Sequence, residues 1–183
     1  MNCIGCTTKE CRVELASCGR EKGRKEEGLQ SYHGPYEQKI VQAAAELVDH
    51  GRAGTLSRLE EIAEFASSMG YADLGIAYCY AMEDDAGKVK NFLKERGFSV
   101  AAVSCTVGAY RQSEINVKSG IDNVSCNPIL QAEQFNRKNV DLVITMGLCL
   151  GHDILFSRYL RTDSTNLVVK DRTNGHNPLA AIR

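Results

Sequence analysis

Eight cysteines divide into two groups along the 183 residues, and the groups invite different chemistry. Cys3, Cys6, Cys11 and Cys18 lie close together at the start, and Cys3-x-x-Cys6 is the element that zinc ribbons and ferredoxin-type loops share. A short polar segment has no core for four thiols to fill, so these four are expected to bind metal. Tetrahedral zinc and a [4Fe–4S] cluster both take such a donor set. Cys79, Cys105, Cys126 and Cys149 are far apart in sequence and match no ribbon or finger spacing. If they act together, the fold must bring them together. Thiolates are soft ligands that select zinc, copper(I) or iron–sulfur clusters, and they are also nucleophiles. Cysteine usage is high, yet below the roughly 8–10% of small disulfide scaffolds, so metal or redox chemistry is expected before structural disulfides.

Histidines supply the other titrating groups: His33, His50, His152 and His176. His152 belongs to the run Cys149-Leu150-Gly151-His152-Asp153, which puts an imidazole and a carboxylate within a turn of a thiol. Its two readings are a ligand or general acid/base, and a helix-start histidine paired with Asp153. His176 follows Lys170, Asp171 and Arg172, a set suited either to an anion pocket or to a polar turn. His50 beside Gly51 fits a helix C-terminal dipole interaction, and His33 lies in a loop.

The elements that must position these groups follow from hydrophobic spacing. Ile40, Val41, Ala44, Leu47 and Val48 recur at helical period, with Gly51 after them. A second helix has Ser57 and Glu60 as a capping box, one face of Leu59, Ile62, Ala63, Ala66 and Met69, and Gly70 as its stop. Residues 72–79 form a short apolar run of the kind buried parallel strands show. Asp84 is expected to cap a helix ended by Gly97, with a second strand over 98–105. The polar segment 106–124 is a long connection suited to a lid. Asn127-Pro128 opens a further helix, 140–146 is the third strand, the helix after Gly147 carries Ile154, Leu155 and Phe156, and 165–169 is the fourth strand.

Alternation of strands and helices implies an α/β fold: a three-layer, mostly parallel four-stranded sheet with helices on both faces, in the order 2-1-3-4. Residues 1–28 form a Cys-rich arm with a charged linker, and 29–183 the α/β domain. In this frame Cys79, Cys105 and Cys149 end or follow strands, and Cys126 precedes a helix running back down the sheet. All four map to the carboxyl edge, where open α/β sheets bind ligands. Cys126 and Cys149, each just before a helix, are expected to be available as thiolates.

Composition narrows the classes. With 22 Lys+Arg against 23 Asp+Glu the net charge is −1, which leaves no electrostatic footprint for nucleic acid or an anionic membrane. No apolar run approaches a membrane span, and Met1-Asn2-Cys3 opens no secretion signal, so a cytoplasmic protein is expected. No dinucleotide fingerprint, P-loop or GxSxG elbow is present.

Cys126-Asn127-Pro128 with Gln131-Ala132-Glu133, the segment 147–153, and Val168-Val169-Lys170-Asp171-Arg172 through Gly175-His176-Asn177-Pro178-Leu179-Ala180 resemble the cysteine-rich family labelled domain of unknown function 1847. The resemblance extends over most of the chain, the N-terminal cysteines included. It implies metal binding, ascribed to its chiefly bacterial and archaeal members on the strength of those cysteines, and an anaerobe-type cytoplasmic setting. It supplies no reaction.

The residues and the resemblance together lead to an iron–sulfur or mixed-metal protein. Cys3, Cys6, Cys11 and Cys18 hold one centre, with zinc as the alternative there. Cys79, Cys105, Cys126 and Cys149 hold another, with [4Fe–4S] favoured. His152 and His176 would tune or protonate it, and Lys170 with Arg172 would neutralise a small anionic ligand. The expected partner is an electron-transfer or sulfur-carrier protein. Two alternatives remain at this stage: a sulfur-transfer or disulfide enzyme with Cys149 as nucleophile and His152 as base, and a zinc-ordered sensor or interaction module.

Overall fold

The computed structural model describes residues 3–14 and 24–182, so Cys18 and part of the charged linker lie outside the described residues. Contacts divide the chain into two units, Met1–Glu46 and Leu47–Arg183. Among the described residues the first contains three helices: α1 (Glu10–Val13), α2 (Lys25–Ser31) and α3 (Pro35–Glu46). A solvated linker was expected as far as Gly28, whereas Lys25–Ser31 is helical with no buried residue. Its first turn carries Glu26 and Glu27, where the helix dipole favours negative charge. The segment is therefore helical and solvated together.

In the second unit the elements follow in the order α4 (Arg58–Ser68), β1 (Asp73–Tyr78), α5 (Glu83–Glu95), β2 (Ser99–Ser104), α6 (Gln112–Ile115), α7 (Pro128–Lys138), β3 (Leu142–Met146), α8 (Leu150–Tyr159) and β4 (Asp163–Val168). The capping box of α4 forms as expected: the Ser57 hydroxyl accepts from the Glu60 amide, and the Glu60 carboxylate accepts from the Ser57 amide at 2.7 Å. Asp84 does not cap α5. A 3-10 turn, Tyr80–Met82, runs directly into the helix, so Asp84 sits inside its first turn with Glu83 and Asp85. There the three carboxylates meet the dipole without capping it.

Four parallel strands pair in the order β2-β1-β3-β4, as the alternation of elements predicts. Strand composition explains who is central. All five residues of β3 and the run Leu74–Ala77 of β1 are buried, whereas β2 and β4 are only half covered, as edge strands are. Side chains then alternate between faces. Leu74, Ile76, Leu142, Ile144 and Met146 pack with Ile62, Ala63 and Ala66 of α4 and Ala86, Val89 and Leu93 of α5. Ala77 and Val143 pack on the opposite face with Ala132 and Phe135 of α7 and Phe156 of α8. The sheet is covered on both sides. Among the described residues no helix is long and apolar enough to cross a membrane.

Candidate functional site at the carboxyl edge of the sheet

Backbone pairing continues past the formal strand ends and carries the cysteines with it. The amide of Cys79 donates to the Met146 carbonyl at 3.0 Å, that of Cys105 to Tyr78 at 2.9 Å, and that of Asn127 to Cys105 at 2.7 Å. On the far side the Gly147 amide donates to Val168 at 2.8 Å. The segments bearing Cys126, Cys105 and Cys79, then the β3 turn and the end of β4, thus stand side by side along one edge. Between Thr145 and Met146 the pairing skips Leu167, an extra residue on the edge strand β4, and the Thr145 hydroxyl bonds the Asn166 side chain beside it.

Local structure explains why each thiol is held. Asn127 caps α7 with its side chain accepting from the Leu130 amide at 3.0 Å, and Cys126 sits just before it. Cys149 is the N-cap residue of α8. The turn leading to it needs Gly147, whose φ is 62° and whose absent Cβ would lie 2.2 Å from the Met82 sulfur. Gln131, fully buried on α7, donates from Nε2 to the Val103 carbonyl at 2.8 Å and the Tyr78 carbonyl at 3.2 Å. It pins the helix behind Cys126 onto the strand ends that carry Cys79 and Cys105. Its Oε1 is buried without a hydrogen-bond partner.

The sulfurs meet one another and two cations. Cys126 and Cys105 lie 3.3 Å apart, Sγ to Sγ. The Tyr80 amide donates to Cys105 at 3.4 Å, the Lys170 ammonium to Cys79 at 3.1 Å, and the Arg172 guanidinium to Cys149 at 3.4 Å. Contact with the Cys105 thiol favours the ionised form of Cys126 and pulls its pKa below the usual thiol value, against the opposing effects of burial and of the charges on Cys149 and Cys79. Cys105 pays the converse: the shared hydrogen bond, then burial, push its thiol far up. The shared hydrogen bond thus favours ionisation of Cys126 over that of Cys105. Cys79 and Cys105 are 3% and 2% exposed, whereas Cys126 and Cys149 are half-buried and reachable.

Sequence-predicted residues thus fall in three places. Cys79, Cys105, Cys126 and Cys149 come to the same edge. Lys170 and Arg172, expected to neutralise an anionic ligand, donate to cysteine sulfurs. His176 ties the turn after β4: its φ is 65°, its amide donates to the Asp171 carbonyl at 2.8 Å, and its Nδ1 accepts from the Asp171 amide at 3.2 Å. The Asp171 carboxylate closes the same turn on the Thr173 and Asn174 amides, both at 3.0 Å, and the Asn174 bonds hold its pKa below the usual carboxylate value. His152 lies half-exposed in the first turn of α8. The hydrogen bond at Cys149 comes from Arg172, not from that ring.

Sequence reading missed Gln131, the Tyr80 amide and the environment of Asp153. Asp153 lines a cavity of about 70 Å³ with Leu148, Asn166, Val168 and Lys170, and burial raises its carboxyl pKa. Nothing in a sequence marks a backbone donor. In the arm, the Lys9 backbone and the Thr8 hydroxyl hydrogen-bond Cys6 and lower its thiol pKa, and the Lys9 ammonium donates to the Cys3 carbonyl at 2.5 Å. Cys3, Cys6 and Cys11 are exposed there. Among the described residues no three Cys, His, Asp or Glu side chains are gathered tightly enough to hold one metal ion.

No solved structure matches the chain. It is 35% identical over 191 aligned positions to Uncharacterized protein MJ0455 of Methanocaldococcus jannaschii, covering 100% of this chain and 93% of the relative. Residues 17–167 match the family described as Protein of unknown function (DUF1847). The match takes in the four edge cysteines and begins after Cys3, Cys6 and Cys11, which the resemblance had included. Spanning most of the chain, it shows that this protein belongs to that family.

Proposed function

We propose that the carboxyl edge is a soft-metal centre, an iron–sulfur cluster ligated by Cys79, Cys105, Cys126 and Cys149, and that the protein works in redox or sulfur chemistry. What carries this reading is the convergence of four thiols from four segments, with Lys170 and Arg172 donating to two of the sulfurs. Ionised cysteines repel: the charges of Cys149 and Cys79 oppose ionisation of Cys126. A bound cation relieves that repulsion, and thiolate softness selects the cation.

The residues present fit such a group. Four thiolates are the donor set that a [4Fe–4S] cluster takes. A cluster held by four thiolates carries net negative charge, which the ammonium and guanidinium groups offset. When bound it supplies one-electron chemistry. The chain's own part is to hold ligands on rigid strand ends, keep Cys79 and Cys105 from solvent, and set the potential through charge and the Tyr80 amide. Cys3, Cys6, Cys11 and Cys18 form the second proposed centre, for zinc or a cluster. A lowered thiol pKa at Cys6 suits ligation.

The test is protein purified without oxygen, assayed for iron, zinc and acid-labile sulfide per chain. Expected is iron with matching sulfide, both falling in a Cys126→Ala/Cys149→Ala variant. Metal and sulfide content unchanged in that variant, or a wild-type chain with neither, overturns the reading.

A further inference from the structure

We infer that the metal-free chain is a dithiol–disulfide exchanger in which Cys126 attacks a small-molecule disulfide and Cys105 resolves the adduct. This uses two sulfurs of the proposed centre but requires no metal, so either reading can fail while the other stands.

The geometry is that of a pair ready to close. The sulfurs are 3.3 Å apart and must contract to the disulfide length of about 2.05 Å. The backbones beneath them are already joined, since the Asn127 amide donates to the Cys105 carbonyl at 2.7 Å. Access differs between the two. Cys126 is half-exposed at the start of α7, while Cys105 is 2% exposed beneath it. An incoming disulfide therefore reaches Cys126 first, with Cys105 directly behind it at 3.3 Å. Cys79, which is buried and also bonds Cys105, accepts from Lys170, and Cys149 accepts from Arg172.

In the first step the Cys126 thiolate forms a bond to one sulfur of the disulfide RSSR, whose own S–S bond breaks and releases RS⁻. In the second, Cys105 loses its proton and attacks the Cys126 sulfur, and the bond between Cys126 and SR breaks to release a second RS⁻. The Tyr80 amide, 3.4 Å from the Cys105 sulfur, faces the charge that appears there on deprotonation. The Cys105 proton and one proton from solvent protonate the two RS⁻ released. One disulfide has been reduced to two RSH, and the protein holds a Cys105–Cys126 disulfide closing the segment 106–125. That segment is braced for it: Arg111 donates to both Asp122 oxygens at 2.9 and 2.7 Å, and the Ser125 amide to the Tyr110 carbonyl at 2.8 Å. Two sulfurs so joined cannot ligate, so disulfide and bound metal are alternative states of one edge.

The experiment uses the full-length chain, stripped of metal by chelator under reductant, desalted without oxygen, and equilibrated with mixtures of oxidised and reduced glutathione. After acid quenching and alkylation, trypsin places the four edge cysteines on four peptides: 59–88, 97–111, 119–137 and 139–158. Expected is a cross-link between peptides 97–111 and 119–137. In Cys105→Ser that cross-link is lost and one glutathione is gained on 119–137; in Cys126→Ser peptide 97–111 stays unmodified. A wild-type map joining any other pair of edge cysteines, or no pair, overturns the proposal without recourse to a variant. So does glutathione appearing on 139–158 instead of 119–137 in Cys105→Ser.

Discussion

A thiol's chemistry depends on its nearest donor, and Cys126 shows how little of that is local. Its place before α7 predicted thiolate character from the helix dipole; in the structure the largest cause is the hydrogen bond shared with Cys105, a residue 21 positions away. The consequence can be tested in metal-free protein. Removing the donor with Cys105→Ala removes what favours the charged form, so the pKa of Cys126 rises. The alkylation rate of peptide 119–137 then shifts to higher pH than in the wild-type chain. A profile that stays in place or moves down would show that the dipole dominates. The two histidines differ in the same way. His176 is a turn-former, bonded twice to the backbone of Asp171, so its work is to hold the loop between Lys170 and Arg172.

Elements were most legible where their signals are carried by adjacent residues. The capping box of α4, the Asn127-Pro128 start of α7 and the short buried runs of β1 and β3 each form as their sequence predicts, because caps and periodicity are local. Asp84 misled because a 3-10 turn leads directly into α5, so that Met82, packed in the core, takes the N-cap position with no side-chain cap. Gly75 shows packing acting on a strand. A Cβ there would lie 2.7 Å from the Phe135 ring, which is fully buried on α7. Gly75→Ala is expected to cost about 1–3 kcal/mol by overpacking. Chemical denaturation measures this, and Phe135→Leu in the Gly75→Ala background should recover part of the loss. Equal destabilisation of the single and double variants by Gly75→Ala would show that the ring is not what the glycine accommodates.

For the whole molecule, the sheet, both hydrophobic faces and all four edge cysteines lie in the unit Leu47–Arg183. A fragment of residues 47–183 is therefore expected to unfold in one cooperative thermal transition. It should also show the Cys105–Cys126 contact as the same preferred cross-link. A non-cooperative melt would mean that residues before 47 are needed for the core. The sequence by itself determined the order of elements, the parallel class, the 2-1-3-4 arrangement and the strand-end positions of Cys79, Cys105 and Cys149. Apolar period, caps and the handedness of crossovers suffice for those. Only the tertiary structure decided which groups touch: Cys126 with Cys105, Lys170 with Cys79 and Arg172 with Cys149, across separations of 21, 91 and 23 residues. Such pairings depend on the register of segments that meet only in the folded sheet. A difference of one residue there turns a side chain to the opposite face, and hydrophobic periodicity carries no record of that choice.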